Sequence, residues 1–173
     1  MKKHFVILFP TFLLTFILIG CASSELMVRK PFDTKLNQYS NFIFSASANV
    51  TDDVKDEISS LEETVMSRVK NLNLFKTYEL GEGKNAKEGS LVIKAVITDI
   101  NKVSGLTRFL FGAFAGKASM TIDVSFIDAK TGISIGEFTI TGKSGGTGYA
   151  GGTSEAIGMT ADKIAEVISQ NYN

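Results

Sequence analysis

The sequence predicts an α+β protein: a mostly antiparallel sheet in the order β-α-β-β-β-β-α, with both helices packed on one face. Three observations carry this. Met120, Ile122, Val124 and Phe126 alternate with Ser119, Thr121, Asp123 and Ser125, the two-residue period of a strand with one dry and one wet face. Val54, Ile58, Leu61, Val65, Val69 and Leu72 recur at spacings of three and four, and Ile157, Ala161, Ile164 and Ile168 form a second such stripe. Each marks an amphipathic helix. Finally, the strand-like segments between Leu91 and Gly142 follow one another without intervening helices, which favours an antiparallel sheet covered on one side.

In chain order, residues 1–20 read as a signal peptide. Lys2 and Lys3 precede an apolar run from Phe5 to Ile19, broken by Pro10, and a small-residue processing site follows. Residues 21–40 carry no clear period around Pro31 and read as a tether, with Pro31-Phe32 docking on the body. A single α+β domain is expected over residues 41–173. Phe42, Phe44, Ala46, Ala48 and Val50, alternating with Ser45, Ser47 and Asn49, predict its first strand. Thr51 is the expected N-cap of the first helix, with Asp52, Asp53, Asp56 and Glu57 at its positive end and Arg68 and Lys70 near its negative end. Lys76–Leu80 predicts a short strand, and Gly81–Ser90 a polar loop. Asp128-Ala129-Lys130-Thr131-Gly132 predicts a tight hairpin with positive φ at Gly132. The apolar phase slips between Ile135 and Phe138, around Gly136, as at a bulge. The second helix is expected over Ser154–Asn171.

Composition narrows function. Eighteen basic side chains balance eighteen acidic ones, and loss of Lys2 and Lys3 with the leader tips the remainder to mildly acidic. That argues against nucleic acid as a partner, which requires a clustered basic surface. The only histidine, His4, lies in the leader, and the only cysteine is Cys21, so no nucleophile–histidine pair and no disulfide is available. No zinc or haem ligand set is present. Gly146-Thr147-Gly148-Tyr149-Ala150-Gly151 matches G-x-G-x-x-G between a strand and a helix, but no strand follows that helix and no acidic residue ends one. It reads as a strand-to-helix connection. Gly142-Lys143-Ser144 has Glu137 where a P-loop requires its first glycine. No acids pair in a recognisable glycosidase-like motif. We therefore expect no enzyme, no catalytic residue, no metal and no cofactor.

Leu18-Ile19-Gly20-Cys21 resembles a bacterial lipobox. That resemblance implies cleavage between Gly20 and Cys21, a diacylglycerol on the Cys21 thiol and a further acyl chain on its freed amine. Ala22 stands where aspartate would mark inner-membrane retention, which implies an outer-membrane lipoprotein facing the periplasm. One acyl chain anchors marginally, whereas two or three hold a protein essentially permanently.

The connection between the strands ending near Val103 and beginning near Ser119 is unusually apolar for its place. Arg108, Phe109, Leu110, Phe111 and Phe114 are the candidate contact surface, with Gly112 and Gly116 allowing close approach and Lys117 flanking. Its expected partners are the membrane surface, a membrane protein, or a second copy through residues 109–116. The alternative is that it folds back as core over the sheet. With the lipobox, the Asp128–Gly132 turn, the glycine run at 142–152 and the closing helix, this R-F-x-x-G-x-x-A-G-K-A string resembles a family of bacterial lipoproteins known only as a domain of unknown function. The resemblance spans Leu91 to the C-terminus and implies a periplasm-facing lipoprotein without assigned catalytic residues. The expected role is an interaction, assembly or envelope-support module. The alternative is a small-ligand or glycan-binding module using the free sheet face and the glycine-rich loop.

Overall fold

The computed structural model describes residues 21–103, 116–145 and 152–173. Their strands are β1 (Ser23–Lys30), β2 (Asn41–Ala48), β3 (Thr77–Leu80), β4 (Ser90–Asn101), β5 (Ser119–Asp128) and β6 (Ser134–Lys143). The helices are α1 (Lys55–Leu72) and α2 (Thr153–Tyr172), with a 3₁₀ turn at Leu36–Gln38. All six strands form one sheet in the spatial order β1-β6-β5-β4-β2-β3. β2 runs parallel to β3 and β4, and the other pairings are antiparallel. From β2 onward the element order is the predicted one.

Both helices cover the same face. Leu61, Val65 and Val69 of α1 and Ile157, Ala161, Ile164 and Ile168 of α2 share one core. Below them lie Phe42 and Phe44, Leu91 to Ile97 at alternate positions, Met120 to Phe126, and Phe138 and Ile140. Burying side chains of this size is worth about 1.5–3 kcal/mol each. On the opposite face β5 carries Ser119, Thr121, Asp123 and Ser125, which is why it reads so clearly as alternating, while Ile43 and Val92 on that face are buried.

Two expectations are corrected. Residues 21–40 are not a tether: Ser23–Lys30 is a strand, laddered antiparallel to β6 from Ser23↔Lys143 to Lys30↔Glu137. Its period was invisible because an edge strand exposed on both sides has no dry face to select for. The expected docking of Pro31-Phe32 does occur, through Phe32, whose ring meets Phe126 edge-on at 4.9 Å and Phe138 at 5.1 Å. Nor is Thr51 the N-cap of α1. The helix begins at Lys55 after Val54, whose buried side chain fixes the entry and whose carbonyl accepts the first helical bond from Ile58 N–H. The Asp53 carboxylate, not a threonine hydroxyl, accepts the Lys55 N–H, at 3.4 Å. Asn73 ends α1 in the left-handed conformation, φ 53°, which asparagine tolerates.

The hairpin after β5 forms as predicted, with Gly132 at φ 69°. Asp128 organises it: one carboxylate oxygen accepts the Lys130 and Thr131 N–H groups at 2.8 and 2.9 Å, and the other accepts the Tyr39 hydroxyl at 2.9 Å. The Thr131 N–H above all, then Tyr39 and the Lys130 N–H, hold the Asp128 carboxyl below the usual carboxylate range. Burial, reinforced by Asp128, pushes the Tyr39 hydroxyl up. A carboxyl held low in the fold contributes stability that is present above its unfolded pKa, about 4. That contribution is lost as pH falls through the lower folded value. Asp128→Ala should therefore cost about 1 kcal/mol at neutral pH, the lower end for charged hydrogen bonds because the turn is solvated. Urea midpoints should show the gap to wild type closing below about pH 4. The register between β5 and β6 shifts after the Phe126↔Gly136 pair, leaving Ile135 unpaired. This is the bulge that the phase slip predicts.

Candidate functional site at the Cys21 end of the sheet

Strand register brings separate features to one end of the sheet. Ser23, Lys143, Ser119 and Asn101 lie side by side across β1, β6, β5 and β4. Cys21 is exposed and precedes Ser23 by two residues. A two-residue span reaches at most about 7 Å, so any group attached at Cys21 is held beside this end. The connection between β4 and β5 leaves and re-enters here, as does the one from β6 to α2.

The stems of both connections are locked together. Ser144 N–H donates to the Ala118 carbonyl, and Ala118 N–H to Ser144 Oγ, both at 2.9 Å. Asn101 Nδ2 donates to the Lys117 carbonyl at 3.0 Å, and Val103 N–H to Thr153 Oγ1 at 3.2 Å. Val103, Ala118 and Ala156 form a small buried cluster beneath them. The Glu155 carboxylate accepts Gly145 N–H at 2.7 Å. Lys102 bridges to Glu57 at 2.9 Å and donates to the Asp53 carbonyl at 2.6 Å, tying this end to the start of α1. Lys143 pairs with Glu25. Chemically the end bears Lys102, Lys117 and Lys143, with Lys102 paired to Glu57 and Lys143 to Glu25.

Of the predicted site residues, Cys21 is placed at this end. Gly20, Arg108, Phe109, Leu110, Phe111 and Phe114 lie outside the described residues, as does the 146–151 part of the glycine loop. The helix-free face of the sheet shows a different chemistry. Asp123 accepts Arg29 and the Thr139 hydroxyl, each at 2.7 Å, and Thr121 and Thr141 hydroxyls meet at 3.0 Å. Among the described residues no group of three or more His, Cys, Asp or Glu could hold a metal ion. No helix among them is long and apolar enough to cross a membrane. The sequence reading missed the exposed apolar run of β1: Leu26, Met27 and Val28 are 40%, 65% and 53% accessible. The signal was present as three consecutive apolar residues between charges.

Residues 27–151 match the family model described as a domain of unknown function, DUF4410. The chain belongs to the DUF4410 family. The match begins within β1, well ahead of Leu91, so the family pattern includes the edge strand and α1. No curated protein sequence matches the chain. Among solved structures, the DUF4410 chain is similar to PelC from Paraburkholderia phytofirmans, a dodecamer. In one crystal form the TM-score is 0.55 at 12% identity, covering 83% of this chain and 96% of that one. In a second form it is 0.55 at 11% identity, covering 85% and 97%. A DUF330 protein from Xanthomonas campestris matches with TM-score 0.46 at 10% identity, covering 88% and 94%. At these identities the PelC likeness establishes the fold that the DUF4410 chain shares.

Proposed function

We propose that this DUF4410 protein is a lipid-anchored outer-membrane lipoprotein facing the periplasm, acting as an assembly or envelope-support module and catalysing no reaction. In this reading acylated Cys21 holds the sheet end at the bilayer, and residues 109–116 press onto the membrane or a membrane-protein partner. The observation that supports it is the absence of a tether. With β1 starting two residues after Cys21, that residue and the Lys102 and Lys117 stems of the apolar connection belong to one end. Arg108 and Lys117 flank the phenylalanines, as suits side chains whose charged heads reach headgroups while their stems lie on apolar surface. PelC is a dodecamer, and a ring of anchored copies is the form of self-association this reading takes.

The test replaces Phe109, Phe111 and Phe114 together with serine in a protein that lacks residues 1–20 and carries Cys21→Ser, so that neither the leader nor acyl chains mask the contact. The thermal midpoint should stay at that of the parent while flotation with liposomes is lost. Were the three rings core, their burial at about 1.5–3 kcal/mol each would consume most of a domain's stability of about 5–15 kcal/mol. An unfolded triple variant would therefore end the contact reading.

A further inference from the structure

A six-stranded sheet has two edges, and among the described residues each edge has an open stretch. β1 pairs with β6, and among the described residues no strand lies on its other side. At the opposite edge β3 covers β2 only from Asn41 to Phe44. Beyond that, among the described residues, Ser45–Ala48 pair with β4 alone. The outward Ala46 N–H there donates to a Glu62 carboxylate oxygen at 2.9 Å, where a further strand would supply a carbonyl. Edges are usually blunted by bulges, prolines or covering elements, because their unpaired backbone groups recruit other strands. β1 has a bulge at Arg29 and is followed by Pro31, yet it shows Leu26, Met27 and Val28 exposed at its centre.

The registers put the two open stretches level. Leu26 lies in one row with Ile140, Ile122, Ile97 and Ala48, and Val28 in one row with Phe138, Val124, Ala95 and Ala46. Three antiparallel steps and one parallel step separate the strands, so β1 runs opposite to β2. We propose that a second copy of this chain docks at this edge, the β1 of one copy pairing antiparallel with Ser45–Ala48 of the next. Leu26 then faces Ala48, Met27 faces Ser47 and Val28 faces Ala46, with each pair on the same side of a sheet that continues from copy to copy.

The two surfaces complement each other. Large exposed apolar side chains on one meet small ones on the other, so the backbones can approach to ladder distance. The contact joins different edges, and repeating it closes a ring or extends a filament. Pairing of β1 with its own copy is disfavoured. Antiparallel β1 strands centred on Met27 would set the two Cys21 residues about 40 Å apart, at opposite ends of the ladder, whereas anchored copies enter one bilayer by the same end. This deepens the proposed assembly role and rests on it.

The test uses the full chain in membranes of expressing cells, carrying Met27→Cys with Ser47→Cys, oxidised with copper phenanthroline. Within one copy these positions are four strand spacings, about 19 Å, apart, and a disulfide needs Cα atoms within about 7 Å. Any new disulfide is therefore between copies. The expected result is a non-reducing ladder extending past the dimer, absent from either single variant and lost when Val28→Glu is added. A double variant that stays monomeric overturns the proposal, as does a dimer from Met27→Cys alone or a ladder indifferent to Val28→Glu. Wild type run alongside isolates the anchoring reading: cross-linking through Cys21 itself would show a thiol that carries no lipid, and would leave the edge contact standing on the ladder.

Discussion

Gly142→Val is expected to leave no stably folded protein. Gly142 sits on β6 under α2. A Cβ there would stand 2.3 Å from the Ala156 carbonyl oxygen, 2.3 Å from Thr160 Oγ1 and 2.9 Å from Thr160 N. Two of these atoms are backbone and cannot rotate aside. Thr160 is fully buried, and its hydroxyl already donates to the Ala156 carbonyl at 2.9 Å, so the helix is clasped at the point of contact. Relief requires lifting α2 from the sheet, which unseats Ile157, Ala161, Ile164 and Ile168 from the core. Overpacking typically costs about 1–3 kcal/mol where side chains can yield. A backbone contact should make alanine cost about 3 kcal/mol, and valine more. Urea midpoints measure the alanine variant, and soluble yield the valine one. Gly158→Ala is the control: it lies on α2 with open space around its Cβ, and should add up to about 1 kcal/mol through helix propensity. A Gly142→Ala midpoint equal to wild type would show that α2 does not seat there.

Gly142 also shows how much of the fold the sequence carries. A glycine inside a strand pattern signals close backbone approach, and it stands directly beneath the second helix. The pattern alone could not say which element approaches. β5 and both helical stripes were legible because each buries one side and wets the other. β1 was not, because exposure on both sides leaves no period, and its place is set by ladder bonds to β6. The start of α1 was misread because Thr51 has the better capping chemistry, yet burial of Val54 decides where the helix turns in. The Leu18–Cys21 string was legible as a candidate acylation motif. That Cys21, Val103, Lys117 and Lys143 share one end was not, since adjacency across strands depends on register.

Replacing Cys21 with serine should abolish lipidation while leaving the domain intact. The Leu18–Cys21 string places the only thiol of the chain where a lipobox presents one. Serine has no thiol to accept diacylglycerol, so labelled palmitate should not enter the protein. Without that first acylation the lipoprotein peptidase has no substrate, and the product should migrate as the longer precursor. The uncleaved apolar leader can itself hold a precursor at the membrane, so label and mobility decide the matter rather than simple fractionation. Each buried methylene contributes about 0.8 kcal/mol. Loss of two or three chains thus removes tens of kcal/mol of membrane affinity once the leader is also deleted, and that doubly altered protein should be released by osmotic shock. Its thermal midpoint should stay close to wild type, because the ladder to β6 begins at Ser23, two residues beyond the substitution. Palmitate entering the serine variant would place the acylation elsewhere and break the link between the lipid and this end of the sheet.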